Sequence, residues 1–138
     1  SSGVLYADIA ANSDDLTGRY ISLSDGTTNN YADIYYSSLS NYISMRVYSG
    51  GVLQASDNTT VSDISDFHKI AVRWDVNDLS LWVDGVEVAT DTSGTTPLGL
   101  NTLKLTFPTG SSSPFYGKTN AVAVFDYLSD NEMIRLTK

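Results

Sequence analysis

Hydrophobic and polar residues alternate in short runs along most of the chain, and clusters of Gly, Asn, Asp and Ser separate the runs. Alternation with a period of two, rich in Val, Ile, Thr and aromatic residues, is typical of β-strands with one buried face. Such strands, with turn signals between them, predict an all-β fold, a two-sheet antiparallel sandwich, rather than a parallel α/β fold. The predicted strands are Val4–Ala10, Arg19–Ser24, Tyr31–Tyr36, Tyr42–Ser49, Val52–Ala55, His68–Trp74, Leu79–Val83, Val86–Thr90, Thr102–Phe107 and Ala121–Phe125.

One short helix is predicted near the C-terminus. Ser129 and Glu132 have the spacing of a capping box, in which each side chain bonds the backbone amide of the other residue. Leu128 before the cap and Met133 after it have the spacing of a hydrophobic staple. We expect about two helical turns that pack Met133 and Leu136 on the sandwich, with a structural role.

Residues 68–90 give the sharpest local prediction. Asp84-Gly85 between two alternating runs predicts a type I′ hairpin turn, and Asp75–Asp78 predicts a second hairpin. The first turn sets the pairs Val83–Val86, Trp82–Glu87, Leu81–Val88 and Ser80–Ala89. One face is then wholly apolar and is expected to be core: Ile70, Val72, Trp74, Leu79, Leu81, Val83, Val86 and Val88.

Trp82 is the exception, because strict alternation places it on the face away from this core. Its cross-strand neighbour Ala71 is too small to cover it, and Arg73 is diagonal to it. An indole beside a guanidinium suits a sugar, whose apolar C–H face stacks on aromatic rings while its hydroxyls bond polar side chains. The alternatives are that a loop or terminal segment covers Trp82, or that it is exposed without a ligand.

The same alternation in other strands points Tyr20, Asp33, Tyr35, Arg46 and Tyr48 away from the core. If those strands share a sheet with the 68–90 hairpin, the outward residues form one carbohydrate-binding face. The alternatives are that tyrosine simply favours strands, or that sugar binds among loops, where Asn29, Asn30, Tyr116 and Asn120 are candidates. The sheet-face hypothesis assigns sugar binding to Trp82, Arg73, Arg46, Tyr48, Tyr35 and Asp33.

Charge narrows the choice of partners. The 138 residues suit one domain, spanning 1–138, and carry 16 acidic against 8 basic side chains, a formal net charge of −8. This balance disfavours binding to nucleic acid and to anionic membrane surfaces, and no apolar run approaches the roughly 18 residues of a membrane span.

The chain lacks a signal peptide and starts with Ser rather than Met, so we expect an excised domain of a larger protein.

Several kinds of chemistry lack the residues they need. Without cysteine there is no thiolate metal site or disulfide framework, and His68, the only histidine, is expected to be structural. Only two glutamates are present, whereas glycoside hydrolysis needs two suitably spaced carboxyl groups. No cofactor is expected to be required. Calcium is the one metal left open, in loops that carry oxygen ligands: Asp14-Asp15, Asp25–Asn30 and Asp75–Asp78.

Five segments together resemble the laminin G-like, or concanavalin A-like lectin/glucanase, superfamily. They are Arg19–Asn30, Asp66–Val72 with its His-led strand, Leu79–Gly85 with its Trp-Val-Asp-Gly hairpin, Phe115–Lys118, and Leu128–Glu132 at the helix start. The resemblance implies a jelly-roll sandwich. It also implies the settings in which such domains occur, namely phage tail-fibre proteins and carbohydrate-binding modules of polysaccharide-active enzymes. Glucanases of this superfamily carry a strand like E-x-D-x-x-E, and the nearest stretch here, Asp84–Glu87, has the wrong spacing, so no catalytic role is implied.

These observations favour a non-catalytic carbohydrate-binding module that recognises a poly- or oligosaccharide by aromatic stacking and Arg/Asp hydrogen bonds. The alternative is a structural or protein-adhesion module of a virion or cell-surface assembly; a β-glucan hydrolase is less favoured. We expect an extracellular or virion-associated location, no nucleic-acid partner, no membrane insertion, and a larger multidomain or multivalent parent protein.

Overall fold

The computed structural model describes residues 1–138 and contains ten strands and one helix. The helix, α1, is Asp130–Thr137. The strands, in chain order, are β1 (Gly3–Ala11), β2 (Arg19–Ser24), β3 (Tyr31–Tyr36), β4 (Tyr42–Ser49), β5 (Val52–Thr60), β6 (His68–Asp75), β7 (Asp78–Val83), β8 (Val86–Asp91), β9 (Thr102–Lys104) and β10 (Gly117–Phe125).

The strands form two five-stranded antiparallel sheets, which confirms the predicted sandwich. Sheet A has the order β10-β1-β6-β7-β8, and sheet B has the order β5-β4-β3-β2-β9. The 68–90 hairpin therefore lies in sheet A, whereas Tyr20, Tyr35 and Arg46 lie in sheet B. The expectation that these residues share one outer face with Trp82 is wrong, because the two outer faces lie on opposite sides of the sandwich.

The main core fills the space between the sheets, as the alternation predicts. Ile21, Ile34 and Met45 of sheet B face Leu5, Val72 and Leu81 of sheet A, and all six are at most 1% exposed. The three central strands of sheet B, β2, β3 and β4, send every second side chain into this core. The residues between them, Asp33 and Arg46 among them, consequently point to the outer face of sheet B.

The predicted register of the 68–90 hairpin is confirmed at its turn and corrected beyond it. Both turn residues have positive φ, 51° at Asp84 and 86° at Gly85, as a type I′ turn requires. The pairs Val83–Val86 and Trp82–Glu87 form as predicted. A bulge then shifts β8 by one residue, which gives the pairs Leu81–Ala89 and Ser80–Thr90.

The same hairpin contains one error in the predicted core. Val86 is 58% exposed, whereas the pattern placed it inside. It follows the turn directly on β8, the edge strand of sheet A, where no strand covers its far side. Val88 packs only partly against the core.

Helix α1 covers part of the outer face of sheet A. Its capping box is confirmed: the Ser129 hydroxyl accepts from the Glu132 amide, and a Glu132 carboxylate oxygen accepts from the Ser129 amide. Met133 is fully buried beneath the helix, and Leu128 and Leu136 pack beside it. At eight residues, α1 is too short to cross a membrane, and it is the only helix.

Trp82 is buried by this helix, so its expected role as an exposed stacking platform is wrong. Its side chain lies in a second, smaller core with Val4, Tyr6, Ala71 and Met133 and is 3% exposed. The indole N–H donates to the Ser80 hydroxyl at 2.9 Å. A terminal segment covers the ring, which was the alternative considered for Trp82.

Arg73 is also buried and cannot grip a sugar in this position. Its side chain is 2% exposed, and its guanidinium carbon is 5.7 Å from the ring centroid of Trp82 and 5.6 Å from that of Tyr127. Its guanidinium donates to Asp78, to Asp130 at 2.7 Å, and to the Leu128 carbonyl oxygen. Arg73 therefore fastens the start of α1 to sheet A.

Truncating Met133 tests whether α1 stabilises the sandwich. We expect Met133→Ala to lower the free energy of unfolding by about 2–5 kcal/mol, because it leaves a cavity beside Trp82. Ile134→Ala is the matched control on the same helix: Ile134 is 36% exposed, so its loss should cost under about 1 kcal/mol. Urea unfolding followed by circular dichroism measures both, and equal costs would contradict this packing role.

His68 joins the start of β6 to the hairpin turn, in agreement with its expected structural role. One ring nitrogen lies 2.6 Å from a carboxylate oxygen of Asp84, and the other lies 2.9 Å from the Asp63 carbonyl oxygen. Both neighbours accept hydrogen bonds, and the imidazolium can donate to both at once. Burial alone would lower the pKa of His68, but these acceptors outweigh it and the pKa is raised above its usual value.

The raised pKa of His68 predicts a pH-dependent stability. The imidazolium's contribution to the free energy of unfolding is fully present below the pKa of His68 in the unfolded chain, near 6.5. This contribution is lost as pH rises through the pKa of His68 in the folded protein. Asp84→Asn keeps a residue suited to the turn but removes the charge. Urea unfolding between pH 6 and 8.5 should show wild-type stability falling more steeply than that of Asp84→Asn. Parallel curves would refute the interaction.

Candidate functional site

The outer face of sheet B gathers aromatic rings around one arginine. Cross-strand pairing places Arg46 opposite Asp33, and Asp33 opposite Ser22, across the middle of the sheet. Tyrosines lie on either side of this row: Tyr35 pairs with Tyr20, and Tyr31 pairs with Tyr48. We call this surface the tyrosine–arginine face; it comprises Tyr20, Tyr31, Asp33, Tyr35, Arg46, Tyr48 and Phe107.

The rings of this face stack in two pairs. Tyr20 lies on Tyr35, and Tyr31 lies on Tyr48, each with ring centroids 4.8 Å apart and planes 15° from parallel. Phe107 meets Tyr20 edge-on at 5.5 Å and also approaches Tyr31. Cross-strand aromatic pairs of this kind stabilise a sheet and hold the rings in fixed orientations.

Arg46 lies among these rings. Its guanidinium carbon is 4.7 Å from the centroid of Tyr35, 5.2 Å from that of Tyr20, and 5.6 Å from those of Tyr31 and Phe107. Each distance is within the range of cation–π attraction. The side chain retains 19% exposure.

Asp33 holds Arg46 from below. Its carboxylate is fully buried and accepts from Nε and Nη2 of Arg46 and from the Arg46 backbone amide. Burial raises the pKa of Asp33 to about 6, whereas the charge and hydrogen bonds of Arg46 oppose this rise and favour the ionised carboxylate. Burial would lower the pKa of Arg46, but Asp33 outweighs it and keeps the guanidinium charged.

The third guanidinium nitrogen is left free. Nη1 of Arg46 has no hydrogen-bond partner in the protein, while Nε and Nη2 are held by Asp33. Asp33 is buried and Arg46 is partly exposed, so the charge that this ion pair presents to solvent is positive. Such a group can donate hydrogen bonds to sugar hydroxyls or to a carboxylate.

The structure thus divides the predicted site. It brings Asp33, Tyr35, Arg46 and Tyr48 together on sheet B and separates them from Arg73 and Trp82 on sheet A. The expectation that Asp33 bonds the sugar directly is wrong, because its carboxylate is fully buried against Arg46. Two members of the tyrosine–arginine face were missed. Tyr31 has the same parity along β3 as Asp33 and Tyr35, so alternation could have found it. Phe107 was predicted in a strand, but β9 ends at Lys104 and the chain then folds over the sheet, where the Thr106 carbonyl oxygen accepts from the Ser22 hydroxyl.

The candidate loop residues do not assemble into one site. Asn30 accepts from the amides of Gly50 and Leu98 and so holds a turn at one end of β2. Asn29 accepts from the Gly51 amide at the same end. Tyr116 lies towards the other end of β2, and Asn120 is on β10 near Asp8.

The loops considered for calcium use their carboxylates within the protein. Asp25 accepts from Thr27 and Asn30, Asp14 from Ser40, and Asp75 from Ser2. No three His, Asp or Glu side chains come together as a metal-binding group.

Comparison with protein-family profiles identifies the superfamily of this chain. A laminin G-type family profile, described as the concanavalin A-like lectin/glucanases superfamily, matches residues 8–135. The chain belongs to this superfamily. A search of the curated proteins finds no match.

Solved structures of the superfamily's fold are similar over nearly the whole chain. The CBM40 domain of the Ruminococcus gnavus IT-sialidase bound to α2,3-sialyllactose has a TM-score of 0.78 and 19% identity, covering 99% of this chain and 83% of that one. The same domain bound to α2,6-sialyllactose has a TM-score of 0.77 and 18% identity, with the same coverage. The binding domain of botulinum neurotoxin DC, in complex with rat synaptotagmin II, has a TM-score of 0.60 and 13% identity, covering 98% of this chain and 34% of that one. At these identities the likeness shows the fold alone.

Arg46→Met tests the buried ion pair, because it leaves the carboxylate of Asp33 without its partner. We expect a loss of about 3–5 kcal/mol in the free energy of unfolding at pH 7. A carboxyl group whose pKa is higher in the folded state than in the unfolded state makes the protein more stable as the pH falls through the folded-state pKa. Since Arg46 opposes this rise, its removal raises the pKa further, and the deficit of the variant should shrink towards pH 5.

The double variant Asp33→Asn/Arg46→Met is the control, because it buries no charge at either position. Its deficit relative to wild type should change less between pH 7 and pH 5 in urea unfolding. A deficit of Arg46→Met that stays constant over this range would show that Asp33 is not the group responsible.

Proposed function

We propose that this domain is a non-catalytic carbohydrate-binding module and that its glycan binds on the tyrosine–arginine face. The observation that carries the proposal is the fixed guanidinium of Arg46, framed by aromatic rings and left with one free donor nitrogen. Tyr35 and Tyr48, each partly exposed, offer surfaces on which the C–H face of a sugar ring can stack. Arg46 supplies hydrogen bonds beside them.

An acidic sugar is the ligand class that best suits this face. Asp33 is fully buried beneath Arg46, so the charge nearest the ligand is positive. Lys104 adds a second cation on the same outer face, opposite Ser22. Solved structures of similar fold bind sialyllactose, which carries a carboxylate. A sialylated oligosaccharide is therefore the first ligand to test.

The arrangement of carboxyl groups supports a binding rather than a hydrolytic role. Hydrolysis of a glycosidic bond usually requires two carboxyl groups that flank it. Asp33 is the only carboxyl group at the outward strand positions of sheet B, and it is fully buried against Arg46. A module without catalysis accounts for this face better than an enzyme does.

A single face of this size implies weak binding, because sugar hydroxyls exchange water for protein hydrogen bonds at little net gain. Modules of this kind gain strength when several copies act together. We propose that the domain belongs to a larger extracellular or virion-associated protein that presents more than one copy.

The binding test compares wild type with Arg46→Lys and Tyr48→Ala by isothermal titration against 3′-sialyllactose, 6′-sialyllactose and lactose. Arg46→Lys keeps the charge but loses the planar fork, so we expect at least about tenfold weaker binding of the sialylated sugars. Tyr48→Ala removes one stacking surface, and we expect a loss of about threefold to tenfold.

Trp82→Phe is the matched control, because it changes an aromatic residue on the other sheet and should leave affinity unaltered. Thermal unfolding of each variant establishes that it is folded. If wild type binds none of the sugars, or if Arg46→Lys binds as tightly as wild type, the proposed site is wrong. A protein-adhesion role would then gain support if titrations showed self-association instead.

A further inference from the structure

Tyr116 is the most exposed aromatic residue that rests on a guanidinium. Its residue exposure is 64%, the highest of any tyrosine, phenylalanine or tryptophan in the protein. It lies outside the tyrosine–arginine face, towards the end of the sandwich where β1 ends and β2 begins. The guanidinium carbon of Arg19 is 5.4 Å from its ring centroid.

Arg19 is itself held in place. Its Nη2 donates to a carboxylate oxygen of Asp15 at 2.7 Å, and its side chain is only 16% exposed. Asp15 also accepts from the amide of Thr17, which fixes the loop that presents it. One side of the Tyr116 ring is therefore backed by an ordered cation, and the residue's high exposure shows that the remainder is open to solvent.

The backbone around Tyr116 is equally constrained. Its amide donates to the Pro114 carbonyl oxygen, and its own carbonyl oxygen accepts from Nδ2 of Asn12 at 3.3 Å. The preceding residue, Phe115, is buried against Tyr36. A Cβ added at Gly117 would lie 2.7 Å from the Ala10 carbonyl oxygen, so the chain leaves Tyr116 in close contact with β1. An exposed ring on a fixed backbone loses little conformational freedom on binding.

Polar groups beside the ring provide hydrogen-bonding capacity. Oδ1 of Asn12 has no partner, because only Nδ2 is used. The carboxylate of Asp15 retains lone pairs beyond its two bonds and is 40% exposed. Asn12 bonds the Tyr116 backbone, and Asp15 bonds the arginine that contacts the Tyr116 ring, so both residues lie near this aromatic side chain. An exposed ring with such groups nearby is suited to a sugar with free hydroxyl groups. Arg19 and Asp15 form an ion pair, so they offer no net charge that would favour an acidic sugar over a neutral one.

We propose that Tyr116 is a second glycan-binding position, one that stacks a neutral pyranose with Asn12 and Asp15 beside it. It does not depend on the tyrosine–arginine face, because it shares no ring contact with that face and is proposed to bind a neutral rather than an acidic sugar. If both positions are active, the domain binds a glycan at two separate points, and the two affinities combine within one chain.

The test is a titration of the ¹⁵N-labelled domain with the neutral trisaccharides cellotriose, maltotriose and laminaritriose, up to about 10 mM because single stacking positions bind weakly. We expect at least one of them to shift the backbone amides of residues 115–117 and the side-chain amide of Asn12. Tyr116→Ala should weaken that binding by about tenfold or more, and Tyr116→Phe should keep it within about threefold.

Two further variants make the outcome specific. Tyr127→Ala removes another exposed tyrosine that packs on an arginine, and it should leave neutral-sugar binding unchanged. Arg46→Lys should do the same while it lowers affinity for sialyllactose, so failure at one position can be told from failure at the other. The inference is overturned if no probe shifts these amides, if Tyr116→Ala binds as wild type does, or if Tyr127→Ala causes an equal loss.

Discussion

The packing of α1 against sheet A determines which surface of the sandwich is available. Val4, Tyr6 and Trp82 make the outer side of sheet A apolar, and Met133 covers them. Without the helix, this side would expose an apolar patch to water. With it, sheet A has cores on both sides, and the free sheet surface is that of sheet B.

On sheet B the governing interaction is the buried contact of Asp33 with Arg46. A carboxylate without exposure is costly to bury unless it is paired and hydrogen-bonded, and here the guanidinium and a backbone amide meet that requirement. In return, the pair fixes the guanidinium among the tyrosines. Because the buried carboxylate of Asp33 needs a partner, it fixes the orientation of Arg46, the group that faces solvent. The chemistry of this surface therefore depends on a group buried in the sheet.

Hydrophobic alternation and turn residues account for most of the fold that could be predicted. They predicted nearly all the strands, the type I′ turn at Asp84-Gly85 and the inward-facing residues of sheet B, because each of these depends on residues close together in the sequence. The bulge in β8 and the shortness of β9 could not be read in this way, since both depend on contacts with other parts of the chain. Local pattern also gave no information on which strands share a sheet.

The site was predicted in part for the same reason. Asp33, Tyr35, Arg46 and Tyr48 were recognised as outward neighbours because consecutive strands carry them. The error at Trp82 had a visible signal: β1 is apolar at Val4 and Tyr6 as well as at Leu5 and Ala7, which indicates burial on both sides of sheet A. An amphipathic helix with Met133 and Leu136 and no other partner was the obvious cover. Phe107 offered no such signal, because an irregular segment brings it to the sheet.

The hairpin turn of β7 and β8 also holds the far end of α1. The Gly85 amide in this turn donates to the Thr137 hydroxyl, and Nζ of Lys69, at the start of the neighbouring strand β6, donates to the Lys138 carbonyl oxygen. An eight-residue helix is marginal by itself in water, so it depends on tertiary contacts of this kind. Because the hairpin turn and the last helical turn are bonded to each other, fraying at one removes a hydrogen bond from the other, and the two ends are coupled.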